Sequence, residues 1–113
     1  MISEPEALRH QTLQAGKAYT DAKQIAARLK ELMPQRIRKL QQDFSQQGMP
    51  ASTALRKTYL STHYRTWVDE LCHATLQADH HRIEWEIGQM RWHACKSRPP
   101  AHTQRYPQNK SHL

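Results

Sequence analysis

The sequence predicts an all-α protein, folded as a long antiparallel helical hairpin with a coiled-coil-like seam. Twelve Ala and twelve Gln stand against one Val, which favours helix over strand because Ala and Gln lose little side-chain freedom in a helix. Apolar residues also recur at helical spacing on both sides of one turn signal. Leu, Ile, Val and Phe together number only 17 among 113 residues, which excludes a thick multilayer core.

The first helix is predicted over about residues 4–47. Ser3 and Glu6 have the spacing of a capping box at its start. Its apolar face recurs at spacings of three, four or seven and comprises Leu8, Ala15, Ala18, Ala22, Ile25, Leu29, Leu32, Ile37, Leu40 and Phe44. Pro34 interrupts this pattern and either kinks the helix or breaks it, giving three helices in all; the sequence leaves both outcomes open.

A turn is predicted at residues 48–51, where Gly48, Pro50 and Ser52 supply a C-terminal glycine, a proline and an N-cap in that order. The second helix is predicted over about residues 52–97. Its seam alternates gaps of four and three, as in a heptad repeat, and comprises Leu60, Tyr64, Trp67, Leu71, Ala74, Ala78, His81, Trp85, Gly88 and Trp92. Residues 1–97 then form one domain.

A second apolar line runs beside this seam and comprises Cys72, Leu76, Ile83, Ile87 and Met90. One thin partner helix does not cover so wide a surface, so we expect a homodimer or a subunit of a larger complex. The expected protein interface comprises Tyr64, Trp67, Trp85, Ile87, Met90 and Trp92. Two other roles remain open: the tryptophans as core residues of the hairpin, and Trp92 as a stacking partner for a nucleobase.

Residues 98–113 are predicted to form a flexible basic tail. Pro99 and Pro100 end the helix, and the segment that follows is polar, free of acidic residues and contains Arg105 and Lys110.

The chain is strongly basic, with 17 Lys+Arg against 10 Asp+Glu and a net charge of +7. When the chain folds back as a hairpin, basic residues of the first helix lie beside basic residues of the second helix near the turn. The middle of the second helix is acidic. The expected phosphate contacts are Arg36, Arg38, Lys39, Arg56, Lys57 and Arg65 at the turn, with Arg98 and Arg105 of the tail. The same charge is also compatible with keeping a small protein dissolved, or with docking on an acidic protein surface.

No motif in the sequence points to catalysis. The chain lacks a glycine-rich phosphate loop, and neither cysteine has an identifiable catalytic partner, so we expect no enzyme activity and no cofactor. His73, His80 and Glu84 share one helix face and are weak candidates for metal binding. They offer three ligands spread over roughly 16 Å, whereas a structural zinc site usually has four, so no metal is expected.

The sequence therefore favours a small non-catalytic protein that associates with nucleic acid, or with its machinery, through sequence-independent phosphate contacts. The alternative is an adaptor or inhibitor, such as a mobile element encodes, that docks its apolar and aromatic helix face on an acidic or nucleic-acid-binding protein. Without a signal peptide or a run of about 18 apolar residues, we expect no membrane association and a cytoplasmic location.

Overall fold

The computed structural model describes residues 3–97, which form three helices: α1 (Glu4–Gln46), α2 (Ala51–Leu60) and α3 (Thr62–Lys96). None of these residues lies in a strand. The helices α1 and α3 are antiparallel, because Arg36 of α1 lies beside Trp67 near the turn, and Thr12 lies beside Gly88 near the opposite end. The predicted all-α hairpin is confirmed. The tail predicted over residues 98–113 lies outside the described residues.

The ends of α1 are capped by local hydrogen bonds. The backbone N–H of Glu6 donates to the Ser3 hydroxyl oxygen at 3.3 Å, as the capping-box spacing predicted. At the other end, the N–H groups of Gln47 and Gly48 donate to carbonyl oxygens of the last turn of α1. Gly48 has φ of 94°, a backbone conformation that residues with a side chain rarely adopt. This glycine therefore allows the chain to turn.

Pro34 does not end α1, and the alternative of a break at this position is wrong. Proline lacks the N–H that would bond to the carbonyl oxygen of Lys30, which costs stability locally. Pro34 itself is exposed, however, while its neighbours Met33 and Ile37 are half-buried. Packing of the apolar face on both sides of Pro34 therefore keeps the helix continuous.

The second predicted helix, over about residues 52–97, is instead two helices that meet at Ser61. This residue is extended, with φ of −76° and ψ of 155°. Its hydroxyl donates to the carbonyl oxygen of Thr58 at 2.6 Å and accepts from the N–H of Tyr64 at 3.1 Å. One side chain thus closes α2 and caps α3, so the third helix arises at Ser61 rather than at Pro34.

The break at Ser61 also changes the predicted seam. Leu60 is 74% exposed, so its assignment to the seam is wrong, because the extended Ser61 that follows it takes Leu60 out of the helical register of α3. The other nine seam positions, from Tyr64 to Trp92, are buried or half-buried. The helix α2 contacts both long helices at the turn, and its Ala54 and Thr58 are completely buried.

The two long helices approach closely because small residues face large ones. The Trp85 ring stacks on the Tyr19 ring with centroids 5.7 Å apart, and a Cβ added at Gly16 would lie 2.9 Å from Trp85 Nε1. A Cβ added at Gly88 would lie 2.7 Å from the Thr12 hydroxyl oxygen. Among residues 3–97, the buried apolar side chains are all alanines. The hairpin is therefore a thin structure whose larger apolar side chains remain partly exposed.

We predict that Gly16→Ala destabilises the protein, although alanine normally stabilises a helix interior by about 1 kcal/mol relative to glycine. The added methyl group meets the rigid Trp85 ring, and overpacking of this kind costs about 1–3 kcal/mol. Thermal unfolding followed by circular dichroism should show a melting temperature several degrees lower.

Trp85→Phe provides the control, because the smaller ring makes room for the methyl group. In this background, Gly16→Ala should be neutral or stabilising. An equal destabilisation in both backgrounds would contradict the assignment of the Gly16 and Trp85 contact as the cause.

Candidate nucleic-acid interface

Six basic residues gather at the turn of the hairpin and form what we term the basic end. They come from the last third of α1, from α2 and from the start of α3, which the Gly48 turn and the Ser61 cap hold together. The basic end comprises Arg36, Arg38, Lys39, Arg56, Lys57 and Arg65. Over residues 36–65, Asp43 is the single acidic residue.

Five of the six cations are exposed, all except Arg36. Within residues 3–97, none of these five has a carboxylate oxygen within 4.0 Å of its charged nitrogens. Their charge is therefore not offset by a close ion pair with the described part of the chain, and it is available to an external anion.

Arg36 differs from the other five because its charge is used within the hairpin. Its guanidinium lies 5.6 Å from the centre of the Trp67 ring and 3.7 Å from the Glu70 carboxylate, and 31% of its side chain is exposed. Each contact joins α1 to α3. The sequence predicted Arg36 as a phosphate contact, but the structure places it mainly in the packing between the two long helices.

An open groove of about 250 Å³ lies beside Arg36, between α1 and α3. Lys39, Leu40 and Asp43 line its α1 side, together with Arg36. His63 and Trp67 line its α3 side, with their ring centres 6.2 Å apart. The sequence pattern did not single out His63, although its spacing of four residues from Trp67 places both rings on one helix face.

The structure divides the predicted protein-interface residues into two groups. Tyr64, Trp67, Trp85 and Trp92 are half-buried, and contacts within the hairpin occupy at least three of their rings. Ile87 and Met90 are exposed by 43% and 70%. The aromatic residues thus pack largely within the molecule. This agrees with the alternative in which the tryptophans are core residues of the hairpin.

Leu76 and Ile83 join Ile87 and Met90 on an exposed apolar strip along α3, which we term the outer apolar face. Leu76 is 67% exposed and Ile83 is 48% exposed. The sequence had placed both in its second apolar line without assigning them to a site. This part of α3 is also acidic: residues 69–86 contain five Asp or Glu and one basic residue, Arg82, which lies near Asp79 and Glu86.

The weak metal candidates His73, His80 and Glu84 do not form a site in the described structure. His80 Nε2 and His81 Nδ1 lie 3.5 Å and 3.2 Å from the same Glu84 carboxylate oxygen. No group of three His, Cys, Asp or Glu side chains within residues 3–97 is arranged to hold a metal ion. The predicted phosphate contacts Arg98 and Arg105 lie outside the described residues.

Comparison with models of known protein families, with curated proteins and with solved structures finds no match to this chain. Along residues 3–97, no helix has an apolar stretch long enough to cross a membrane. The basic end, the adjoining groove and the outer apolar face are therefore the candidate functional surfaces of the described residues.

We predict that Arg36 and Arg38 differ in their contribution to stability. Arg36→Gln removes the contacts with Trp67 and Glu70, and should lower the free energy of unfolding by about 1 kcal/mol. Arg38 is exposed and makes no such contact, so Arg38→Gln should change the free energy of unfolding by less than about 0.5 kcal/mol. Urea unfolding of both variants measures the difference. Equal values for the two would show that Arg36 is a surface charge like Arg38.

Proposed function

We propose that this protein is a non-catalytic nucleic-acid-associated protein that contacts phosphate groups through its basic end. The observation that carries the proposal is the presence there of five exposed cations without a close carboxylate in the described chain: Arg38, Lys39, Arg56, Lys57 and Arg65. Cations of this kind replace the counterions around a nucleic acid, and release of those counterions drives binding.

The position of the acidic residues supports the same proposal. Residues 69–86 have an excess of acidic side chains and repel a phosphate backbone, so contact is favoured at the turn and disfavoured along the middle of α3. The cations themselves lie on three separate helices, and no base-reading motif accompanies them. Contacts to phosphate orient a protein on nucleic acid without selecting sequence, so we expect binding to be largely independent of sequence.

The quadruple variant Arg38→Gln, Lys39→Gln, Arg56→Gln and Lys57→Gln tests this proposal. Fluorescence anisotropy with a labelled mixed-sequence duplex, at several salt concentrations, measures affinity and its salt dependence. Losing four phosphate contacts should weaken binding strongly at low salt and reduce the slope of log K against log salt by about 3.6. Arg36 is left unchanged because of its packing role.

The matched control replaces four exposed cations of α1 away from the basic end: Arg9→Gln, Lys17→Gln, Arg28→Gln and Lys30→Gln. The net charge falls by the same amount, but the slope should change little. If both variants lose affinity equally, net charge rather than the basic end is responsible. Unchanged affinity in the first variant would overturn the proposal.

A second candidate function is supported by the outer apolar face. Leu76, Ile83, Ile87 and Met90 are each more than 40% exposed on one helix, and the surrounding stretch of α3 is acidic. An apolar strip in an acidic setting is complementary to a basic amphipathic helix, such as a nucleic-acid-binding protein presents. In this candidate function the protein is an adaptor or inhibitor acting on such a partner.

Leu76→Ser with Met90→Ser tests the second candidate. Affinity capture in the presence of nuclease should retain one stoichiometric partner with a basic helical segment on the wild-type protein and lose it on the variant. Leu13→Ser is the control, since Leu13 is 62% exposed but lies on α1. Light scattering on the purified proteins tests whether a second copy of the chain occupies this face instead. The wild-type protein would then have twice the 13.3 kDa mass of one chain, and the variant would have the mass of one chain.

A further inference from the structure

The groove beside the basic end differs from the rest of the basic surface because it combines cations with rings. Lys39 supplies a positive charge that is unpaired within residues 3–97 on its α1 side, and His63 and Trp67 supply aromatic surface on its α3 side. Leu40 adds apolar surface on the α1 side. A phosphate ion alone does not stack on the rings, whereas a nucleotide combines a flat aromatic base with a charged phosphate.

The groove leaves room for a base beside its rings, with about 250 Å³ of open space. His63 is exposed, and its ring plane is tilted by 32° from that of Trp67 at a distance of 6.2 Å. Arg36 lies over the Trp67 ring at 5.6 Å, which holds the ring in place while the groove remains open beside it. Lys39 is exposed at the groove edge and carries no close ion pair with residues 3–97. Asp43 is the acidic member of the lining, so a phosphate is favoured near Lys39 rather than beside Asp43.

We infer that this groove binds an unpaired nucleobase against His63 and Trp67, with its phosphate on Lys39, and that single-stranded nucleic acid is the preferred ligand of the basic end. This inference rests on the proposed nucleic-acid function and specifies its substrate class. In a duplex, each base face is covered by its neighbours in the stack, so only unpaired bases can use the rings. One stacked base raises affinity by a factor of about 5 to 150.

The groove does not by itself select a base sequence. Every nucleobase presents an aromatic face, and stacking on a ring is tolerant of its identity. The preference is therefore one for unpaired strands over paired ones, and it adds to the phosphate contacts of the exposed cations rather than replacing them.

The test compares a labelled 20-nucleotide oligo(dT), a labelled 20-nucleotide oligo(dA) and a 20-base-pair mixed-sequence duplex, each titrated with the full chain. Both single strands should bind at least about 5-fold more tightly than the duplex at moderate salt. This ratio should rise with salt, because duplex binding loses affinity more steeply. The slope of log K against log salt falls by about 0.9 per phosphate contacted in a duplex and by about 0.7 in a single strand.

His63→Ala is the decisive variant, because this exposed side chain can be removed without disturbing the packing of the hairpin. It should lower single-strand affinity by about 5-fold or more and leave duplex affinity unchanged. The matched control, His93→Ala, removes an exposed histidine near the other end of α3 and should alter neither affinity.

Tryptophan fluorescence gives an independent measurement. Single strands should quench the emission of the wild-type protein, and Trp67→Phe, compared at saturating single strand, should remove most of this quenching. Trp85→Phe, which alters a ring held between Gly16 and Tyr19 at a distance from the groove, should leave the quenching in place.

The outcomes separate this inference from the function on which it rests. Equal affinity for single strands and duplex, unaffected by His63→Ala, would overturn the inference and leave phosphate binding by the basic end intact. Absence of binding to all three probes at low salt would overturn the proposed function itself.

Discussion

The close approach of α1 to α3 is the constraint on which the rest of this structure depends. Gly16 accepts the Trp85 ring against its backbone, and Gly88 gives Thr12 similar access to the backbone of α3. The stacked pair of Trp85 and Tyr19 contributes about 0.5–1.5 kcal/mol beyond the area that it buries. Interfaces of this kind place small residues at the centre and leave larger side chains at the edges. For this reason the buried apolar residues of α3 are two alanines, Ala74 and Ala78, and two packed helices cannot cover the larger apolar side chains that remain.

A thin hairpin also separates charge along its length. The basic end collects cations from three helices, while the middle of α3 has an excess of acidic residues and carries the outer apolar face. Arg36 belongs both to the packing between the long helices and to the basic end, since it packs on Trp67, pairs with Glu70 and lines the groove. The same side chain thus stabilises the helix pair and orients an aromatic ring next to exposed cations. The proposed phosphate-binding surface and the proposed protein-binding surface can coexist on such a chain because they lie on different parts of it.

The location of the candidate site could be predicted from the sequence because it follows from topology. Once the chain is known to fold back near Gly48, residues before and after the turn must become neighbours, and their charges with them. The role of each residue could not be predicted in the same way. Arg36 and Arg38 are equivalent in sequence, but one packs on a tryptophan and the other is exposed, since a two-residue step rotates a side chain by about 200° around the helix. The contribution of His63 to the groove likewise depends on which residues of α1 lie opposite.

The sequence by itself determined the helical class, the turn at Gly48, the heptad seam from Tyr64 to Trp92 and the uneven distribution of charge, because these depend on composition and on spacing along the chain. Only the tertiary structure decided where the helices are continuous. At Pro34 the loss of one backbone hydrogen bond is outweighed by packing along the apolar face, so α1 persists. At Ser61 a single hydroxyl satisfies backbone groups of both α2 and α3, so the chain breaks there and Leu60 leaves the seam. At Pro34 a local cost is weighed against the packing of a whole helix face, which exists only when the helices are assembled. At Ser61 local capping competes with a continuous helix, and the contacts of α2 with both long helices stabilise the break.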